Sequence, residues 1–175
     1  MMRIRISHRT LALQVLLAAS VCLAQAPAGS PADSNSGALK IQTPEKSETL
    51  LPAALKALPH ITVTVHNPHA DADETFSGVP LMDLLAREGV PHGHDMRGKA
   101  LSEYVVATGS DGYKAVVSLA EADPEFHPGD VLVADAMDGK PLDAKTGPFR
   151  LVVTADKRPA RSVRNLVSIE VRSAM

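Results

Sequence analysis

The sequence predicts an α+β fold, in which a mixed, mainly antiparallel sheet is accompanied by short helices. Two observations lead to this prediction. Residues 104–108 and 113–119 alternate apolar and β-branched side chains and flank a glycine-containing turn, which is typical of a hairpin. Residues 49–58 and 80–88 place apolar side chains at helical spacing, but a proline or a glycine ends each segment early. Several short strands and few short helices are therefore expected in one domain.

In the first half of the domain, prolines mark where the helices begin and end. Pro52 fits the first helix only in its first turn, so this helix is predicted to start near residue 49 or 50. Residues 60–66 alternate and are β-branched, which predicts a strand. The predicted order is a short strand at 38–41, a helix at 49–58, a strand at 60–66, a short edge strand at 75–78 and a helix at 80–88.

In the second half, turn signals separate alternating apolar segments. Ser110 to Tyr113 includes an Asp and a Tyr, as a catalytic motif would, but Asp-Gly between two strands is more typical of a tight turn. Asp138 and Gly139 are interpreted in the same way. The predicted elements are strands at 104–108 and 113–119, a helical turn at 119–126, strands at 130–137 and 140–144, and closing strands at 149–155 and 166–171.

The N-terminal residues have the layout of a secretory signal. Residues 1–9 are basic without an acid, an apolar run follows, and residues 24–26 form a small-x-small cleavage pattern. The predicted organisation is a signal peptide at 1–26, a flexible leader at 27–37 and a single domain at 38–175, exported to the periplasm. The alternative is a membrane anchor, but the apolar run is shorter than the ~20 residues of a spanning helix. No membrane span is therefore expected after cleavage.

Cysteine usage and charge narrow the classes of function. Cys22 is the only cysteine and lies inside the predicted signal peptide. The cleaved chain would have no disulfide, no cysteine-bound metal and no thiol nucleophile. The formal net charge is −2, and the aromatic residues are three Phe and two Tyr with no Trp. Because nucleic-acid binders concentrate basic charge and stacking aromatics, no nucleic-acid partner is expected.

Basic residues concentrate in and beside the loop between the last two predicted strands. Guanidinium groups bind phosphate and carboxylate through paired hydrogen bonds, so this cluster is a candidate anion site. The alternative is that the first arginine pairs with an acid on a neighbouring strand while the loop cations are solvated. The candidate residues are Arg150, Lys157, Arg158, Arg161 and Arg164.

Histidines in two polar loops form a weaker candidate for a metal site. His66 and His69 are followed by several acids, and His92 and His94 flank a glycine. Imidazole beside carboxylate suits zinc, copper or nickel. Such spacings also occur by chance in polar loops, so solvent-exposed histidines are the competing interpretation. A metal site requires the two loops to meet.

The order of several segments resembles the molybdopterin-binding domain of the sulfite-oxidase superfamily. The segments are "LPHITVTV", "FSGVPLMDLLAREGV", "SDGYKAVVSLAE", "VLVADAMDGKPL" and "GPFRLVV" followed by "ARSVRNLVSIEV", from about Leu58 to Val171. The resemblance implies the fold of that domain. The chain also looks like the short exported members of the superfamily, which are much smaller than the enzymes.

The resemblance also implies site residues and exposes departures from the family pattern. In the enzymes, a pterin dithiolene and one protein cysteine hold molybdenum, while Arg and Lys of the C-terminal segment hold the pterin phosphate. Arg150 matches that Arg and Arg164 matches that Lys. The predicted mature chain lacks the cysteine, Thr146 replaces a His, and Asn165 replaces a Trp. The resemblance therefore implies the family's fold for this chain, but not its molybdenum chemistry.

The sequence thus predicts an exported, non-catalytic binding or accessory module. Its partner would be a small anionic ligand at the basic loop or another protein docked on the same face. One alternative is a minimal molybdopterin-dependent oxidoreductase, and another is a periplasmic metal-binding protein that uses the histidine loops. No cofactor is expected under the first hypothesis, whereas molybdopterin is the cofactor under the second.

Overall fold

The computed structural model describes residues 37–174, which form strands, short α-helices and 3-10 turns. The strands are β1 (Leu39–Gln42), β2 (Ser47–Leu50), β3 (Ile61–Asn67), β4 (Ala72–Pro80), β5 (Glu103–Gly109), β6 (Lys114–Ser118), β7 (Val131–Met137), β8 (Lys140–Pro141), β9 (Arg150–Val153) and β10 (Leu166–Ser173). The helices are α1 (Pro52–Lys56), α2 (Leu81–Arg87) and α3 (Leu119–Ala122), and the 3-10 turns are Gly93–Asp95, Gly98–Ser102 and Pro159–Arg161.

The predicted signal peptide and most of the predicted leader lie outside the described residues, and so does Cys22. Their assignments stay predictions. Within residues 37–174, the longest α-helix has seven residues, and none has the length and hydropathy that a bilayer crossing requires.

The ten strands of residues 37–174 form two sheets of five strands each. The first sheet has the order β2-β1-β10-β5-β6, with β1 and β10 parallel and the other neighbours antiparallel. The second has the order β3-β4-β7, and both β8 and β9 pair with β7. The predicted α+β class with mixed, mainly antiparallel pairing is confirmed, although the strands are divided between two sheets.

The main hydrophobic core is shared by both sheets and the helices. Val131 and Val133 of β7 lie in it together with Val105 of β5 and Leu85 of α2, all buried. The alternate residues of β7, Leu132 and Ala134, face the other side of the sheet because successive strand residues point to opposite faces. The second sheet is therefore apolar on both faces, which explains why β7 is almost continuously hydrophobic.

A second apolar cluster covers that other face. Its buried members are Phe76, Leu132, Ala134 and Val152. Half-buried residues of the edge strand β3 pack against it, namely Ile61, Val63 and Val65.

The structure corrects two predicted elements. The predicted helix at 49–58 begins only at Pro52, which occupies the first helical position, and residues 47–50 form β2 instead. Leu50 is buried there opposite Leu39 of β1, so tertiary pairing overrides the helical spacing. The predicted edge strand at 75–78 is the nine-residue β4, which lies between β3 and β7.

Both predicted tight turns are present. Gly112 has φ +83°, and the Asp111 side chain accepts a hydrogen bond from the Tyr113 backbone N–H at 2.9 Å. Asp138 and Gly139 have φ values of 51° and 73°, a pair typical of a two-residue hairpin turn. These turns explain the Asp-Gly motifs without a catalytic role.

Candidate functional site

A cleft of about 920 Å³ opens where three loops meet. Its walls come from the β3–β4 turn, the β5–β6 turn and the segments on either side of β9. The volume is within the range of small-molecule sites. The charged residues that line it are the bases Arg150, Lys157, Arg158 and Arg164 and the acids Glu74 and Asp111.

Arg150, the first residue of β9, is the most buried of these cations. Its side chain is 12 % exposed, and its guanidinium carbon lies 4.6 Å from the centre of the Phe76 ring. The Nε–H is buried and finds no hydrogen-bond partner among the described residues. Burial lowers the pKa of Arg150, Glu74 opposes this shift, and Arg164 adds to it. Arg150 is therefore a partly desolvated cation with unused hydrogen-bonding capacity at the cleft.

Glu74 is the one acid near the Arg150 guanidinium in the described part of the chain. Its Oε2 is 4.0 Å from Nη1 of Arg150, at the limit of a salt bridge. Its Oε1 accepts a hydrogen bond from Nδ2 of Asn67 at 2.6 Å, and Oδ1 of Asn67 accepts one from the His69 backbone N–H at 2.9 Å. Glu74 is thus held toward the β3–β4 turn and neutralises Arg150 only in part.

The other three basic residues are solvent-exposed on the cleft wall. Lys157, Arg158 and Arg164 form no salt bridge with any acid that the structure describes. The structure therefore brings four of the five predicted basic residues into one cleft, and their role in binding an anion stays a prediction.

Arg161 is the fifth predicted residue, and the structure places it outside the cleft lining. Its Nε and Nη2 donate to the two carboxylate oxygens of Asp156 at 3.0 and 2.7 Å. Its Nη1 donates to Oε1 of Glu121 in α3 at 3.1 Å. These acids raise the pKa of Arg161, chiefly through the hydrogen bonds to Asp156. Through these donors Arg161 ties the basic loop to α3. Its predicted role in anion binding stays a prediction.

Replacing Arg161 with glutamine is expected to lower the free energy of unfolding by about 1 kcal/mol, because a partly exposed ion-pair network is lost. Urea unfolding monitored by circular dichroism measures this change. Anion affinity, measured on the same protein by calorimetry, is expected to stay within about threefold of the wild type. A large loss of affinity would show that Arg161 contributes to anion binding.

Glu121 links this network to the start of α3. Its backbone N–H donates to Oγ of Ser118 at 3.1 Å, and its carboxylate accepts from the Ser118 backbone N–H at 3.0 Å, which is a capping box. This backbone hydrogen bond and the Arg161 guanidinium lower the pKa of Glu121 from its ordinary value of 4.5. The folded protein therefore favours the ionised carboxylate.

Stability is consequently expected to depend on Glu121 in acid. A lowered folded pKa gives a contribution that is complete above 4.5 and is lost as the pH falls through the folded value. The free energies of unfolding of the wild type and Glu121→Gln, measured in urea, should differ at pH 6 and converge toward pH 3. Equal differences at both pH values would contradict this assignment.

Asp111 and Tyr113 line the cleft although the sequence indicated only a turn. The Tyr113 hydroxyl donates to the Ala160 carbonyl oxygen at 2.6 Å, while the residue as a whole is 50 % exposed. This contact joins the β5–β6 turn to the Pro159–Arg161 turn. The sequence carried no signal for it, because 47 residues separate the two partners.

The four histidines are not brought together. Nδ1 of His66 lies 3.0 Å from Oδ1 of Asp73, and His69 lines the cleft. His92 and His94 belong to another loop, in which the Gly93 backbone N–H donates to Asp123 at 2.6 Å. Residues 37–174 contain no group of three or more His, Cys, Asp or Glu side chains suited to a metal ion. The convergence on which the metal hypothesis depends is therefore absent from this part of the chain.

Thr146 and Asn165 occupy the positions where the resemblance implies His and Trp. The Thr146 side chain donates to Oδ1 of Asp143 at 2.8 Å, and its carbonyl oxygen accepts from the Asn165 backbone N–H at 2.9 Å. Asn165 has φ 47°, a conformation that Asn tolerates better than most residues, and Nδ2 donates to the Lys145 carbonyl oxygen at 2.8 Å. Both residues therefore brace the cleft wall beside Arg164.

Comparison with known proteins gives a family match and likenesses to several solved structures. The sequence model of the family described as "Oxidoreductase molybdopterin binding domain" matches residues 56–175. The crystal structure of the sulfane dehydrogenase SoxCD from Paracoccus pantotrophus is similar, with 18 % sequence identity and a TM-score of 0.62. The similar region covers 80 % of this chain but only 39 % of that chain, so this likeness shows the fold alone. The search of curated proteins found no match.

Proposed function

The chain belongs to the oxidoreductase molybdopterin-binding domain family, and we propose that its basic cleft binds a small anion as part of an exported, non-catalytic binding or accessory module. The observation that carries this proposal is the buried Arg150 guanidinium. Its Nε–H has no partner among the described residues, and it lines a cleft together with Arg164. An anion at the exposed part of this guanidinium would offset the burial of its charge.

The charge balance of the cleft agrees with an anionic ligand. Four bases and two acids line it, so its formally charged side chains leave an excess of two positive charges. A concave surface of one sign focuses the electrostatic field and raises the local concentration of ligands with the opposite sign. The exposed bases would attract the anion, and Arg150 would form the most strongly desolvated contact.

Molybdopterin fits this cleft in part. The basic lining suits an anionic phosphate group, as the resemblance of Arg150 and Arg164 implies. Residues 37–174 contain no cysteine, however, so they cannot provide the thiolate that the resemblance implies for molybdenum. The residues thus fit the anionic part of the cofactor and not the metal ligand, and no redox step is assigned to them.

A molybdopterin-dependent oxidoreductase is the second candidate, and the family match favours it. It requires molybdenum held without a protein thiolate. A third outcome is that the same basic face docks on an acidic surface of a partner protein, in which case no small anion would stabilise the chain.

Thermal unfolding in the presence of phosphate, pyrophosphate and sulfate tests the small-anion proposal. A ligand that binds only the folded state stabilises it by RT ln(1 + [L]/Kd), or about 2.7 kcal/mol at 100 times Kd. We expect a saturable rise in melting temperature at constant ionic strength, reduced in Arg164→Gln and retained in Arg97→Gln, an exposed arginine outside the cleft lining. No saturable rise with any of the anions, or an equal loss in both variants, would contradict the proposal.

A further inference from the structure

Among residues 37–174, strand β3 forms a free edge of the second sheet. It pairs with β4 over seven residues from Ile61 to Asn67, and it is the end member of the strand order. The other sheet edges of the described part are shorter or partly engaged. At β6, for example, the Val116 carbonyl oxygen faces Nη1 of Arg161 at 3.5 Å, and β2 is only four residues long.

This edge lacks the features that usually prevent edge-to-edge pairing. Residues 61–67 include no Lys, Arg, Asp, Glu or Pro, and the register with β4 has no bulge. Proteins protect long edge strands with such charges, prolines or bulges. An unprotected edge of this length is available to accept another strand.

The sequence of the edge is a near-palindrome centred on Val63. Residues 60–66 read His-Ile-Thr-Val-Thr-Val-His, and reversal exchanges only Ile61 and Val65. We propose that two copies of the chain associate through antiparallel pairing of β3 with β3 about a two-fold axis at Val63. In this register Ile61 faces Val65 of the partner subunit, and Thr62 faces Thr64 of the partner subunit.

Both faces of the paired strands are self-complementary in this arrangement. Ile61, Val63 and Val65 are half-buried on the second apolar cluster, so pairing covers part of their exposed surface and places the clusters of the two subunits side by side. Thr62 and Thr64 are exposed on the opposite face, where threonine pairs across antiparallel strands are favourable. A closed two-fold interface of this kind uses one patch on both subunits.

Charge does not oppose the association. The strand has no formally charged residue, and the histidine at each end has an acid of its own subunit nearby. Nε2 of His60 is 3.4 Å from Asp135, and Nδ1 of His66 is 3.0 Å from Asp73. Because one strand pair buries little surface, we expect a weak dimer that forms with rising concentration.

Charges placed on the two exposed threonines test both the interface and its register. In the double variant T62K/T64K, each new lysine would face a lysine of the partner subunit, whereas in T62K/T64E each would face an opposite charge. Sedimentation velocity from about 10 µM to about 1 mM covers the range expected for a weak interface. Circular dichroism and the melting temperature confirm that both variants fold.

We expect the wild type to form dimers as its concentration rises, T62K/T64K to stay monomeric, and T62K/T64E to dimerise at least as well as the wild type. A monomeric wild type at about 1 mM would overturn the proposal. Dimerisation of T62K/T64K equal to the wild type would place the interface elsewhere and also overturn it. A monomeric T62K/T64E would refute the register centred on Val63.

Discussion

Replacing Arg150 with glutamine is expected to weaken anion binding by about 30-fold or more, because loss of one partner of a desolvated charge pair costs about 2 kcal/mol or more. The basis is the position of this guanidinium at the cleft, with its Nε–H buried and unpartnered among the described residues and only Glu74 nearby. Isothermal titration with phosphate or pyrophosphate measures the change. Arg164→Gln is expected to weaken binding less, because Arg164 is exposed and more strongly solvated.

Two further variants separate charge from geometry. Arg150→Lys keeps the charge but loses the planar fork of donors, so its affinity should lie between those of the wild type and the glutamine variant. Arg97→Gln removes an equal charge from an exposed position outside the cleft lining and should leave affinity unchanged. If Arg150→Gln binds as tightly as Arg97→Gln, the cleft is not the anion site.

Gly78→Ala is expected to produce the largest loss of stability, about 3 kcal/mol or about 10 °C in melting temperature. Gly78 lies in β4 beside a register shift with β7. A Cβ atom there would lie 2.3 Å from the carbonyl oxygen of Val133 and 2.5 Å from Cα of Ala134. Both are backbone atoms, so the two central strands of the second sheet would have to separate.

Gly112→Ala provides the matched control for this prediction. Gly112 has φ +83°, but its Cβ position is open, with no described atom within 4 Å. The strain of a left-handed alanine alone costs about 1 kcal/mol. Urea unfolding should therefore rank Gly78→Ala as clearly more destabilising than Gly112→Ala. The reverse order would show that the close approach of β4 and β7 is easily relieved.

The sequence predicted elements whose signals are local and missed those fixed by distant pairing. Alternation identified β3, and Asp-Gly identified both hairpin turns, because each depends on neighbouring residues. β2 was predicted as part of a helix, because Leu50 and Leu51 continue a helical pattern and only pairing with β1 selects the strand. β4 was predicted as a short edge strand, because its polar start conceals a central position.

The sequence predicted the basic residues of the site but not the acids that pair with them. Arg150 and Arg164 were identified through charge and through the family resemblance, and both line the cleft. Arg161 has the same charge, but Asp156 and Glu121 engage it, and their proximity depends on the tertiary fold. Glu74 of β4 lies near Arg150 of β9 because both strands pair with β7. Partners brought together by such pairings cannot be read from local sequence patterns.

Family membership suggests a molybdenum cofactor for this chain, whereas the side chains of the site do not supply a thiolate ligand for the metal. The fold agrees with the family, whereas residues 37–174 have no cysteine to hold molybdenum. Since one fold supports many functions, the residues of the site carry the functional argument. We therefore propose that the cleft binds an anion without the help of a thiolate-bound metal.

Elemental analysis by mass spectrometry of the protein purified from its own host tests this central claim most directly. We expect molybdenum at background level in the wild type, and the same result in Arg150→Gln. About one molybdenum atom per chain in the wild type, lost in Arg150→Gln, would contradict the account and establish a metal site without a thiolate from residues 37–174.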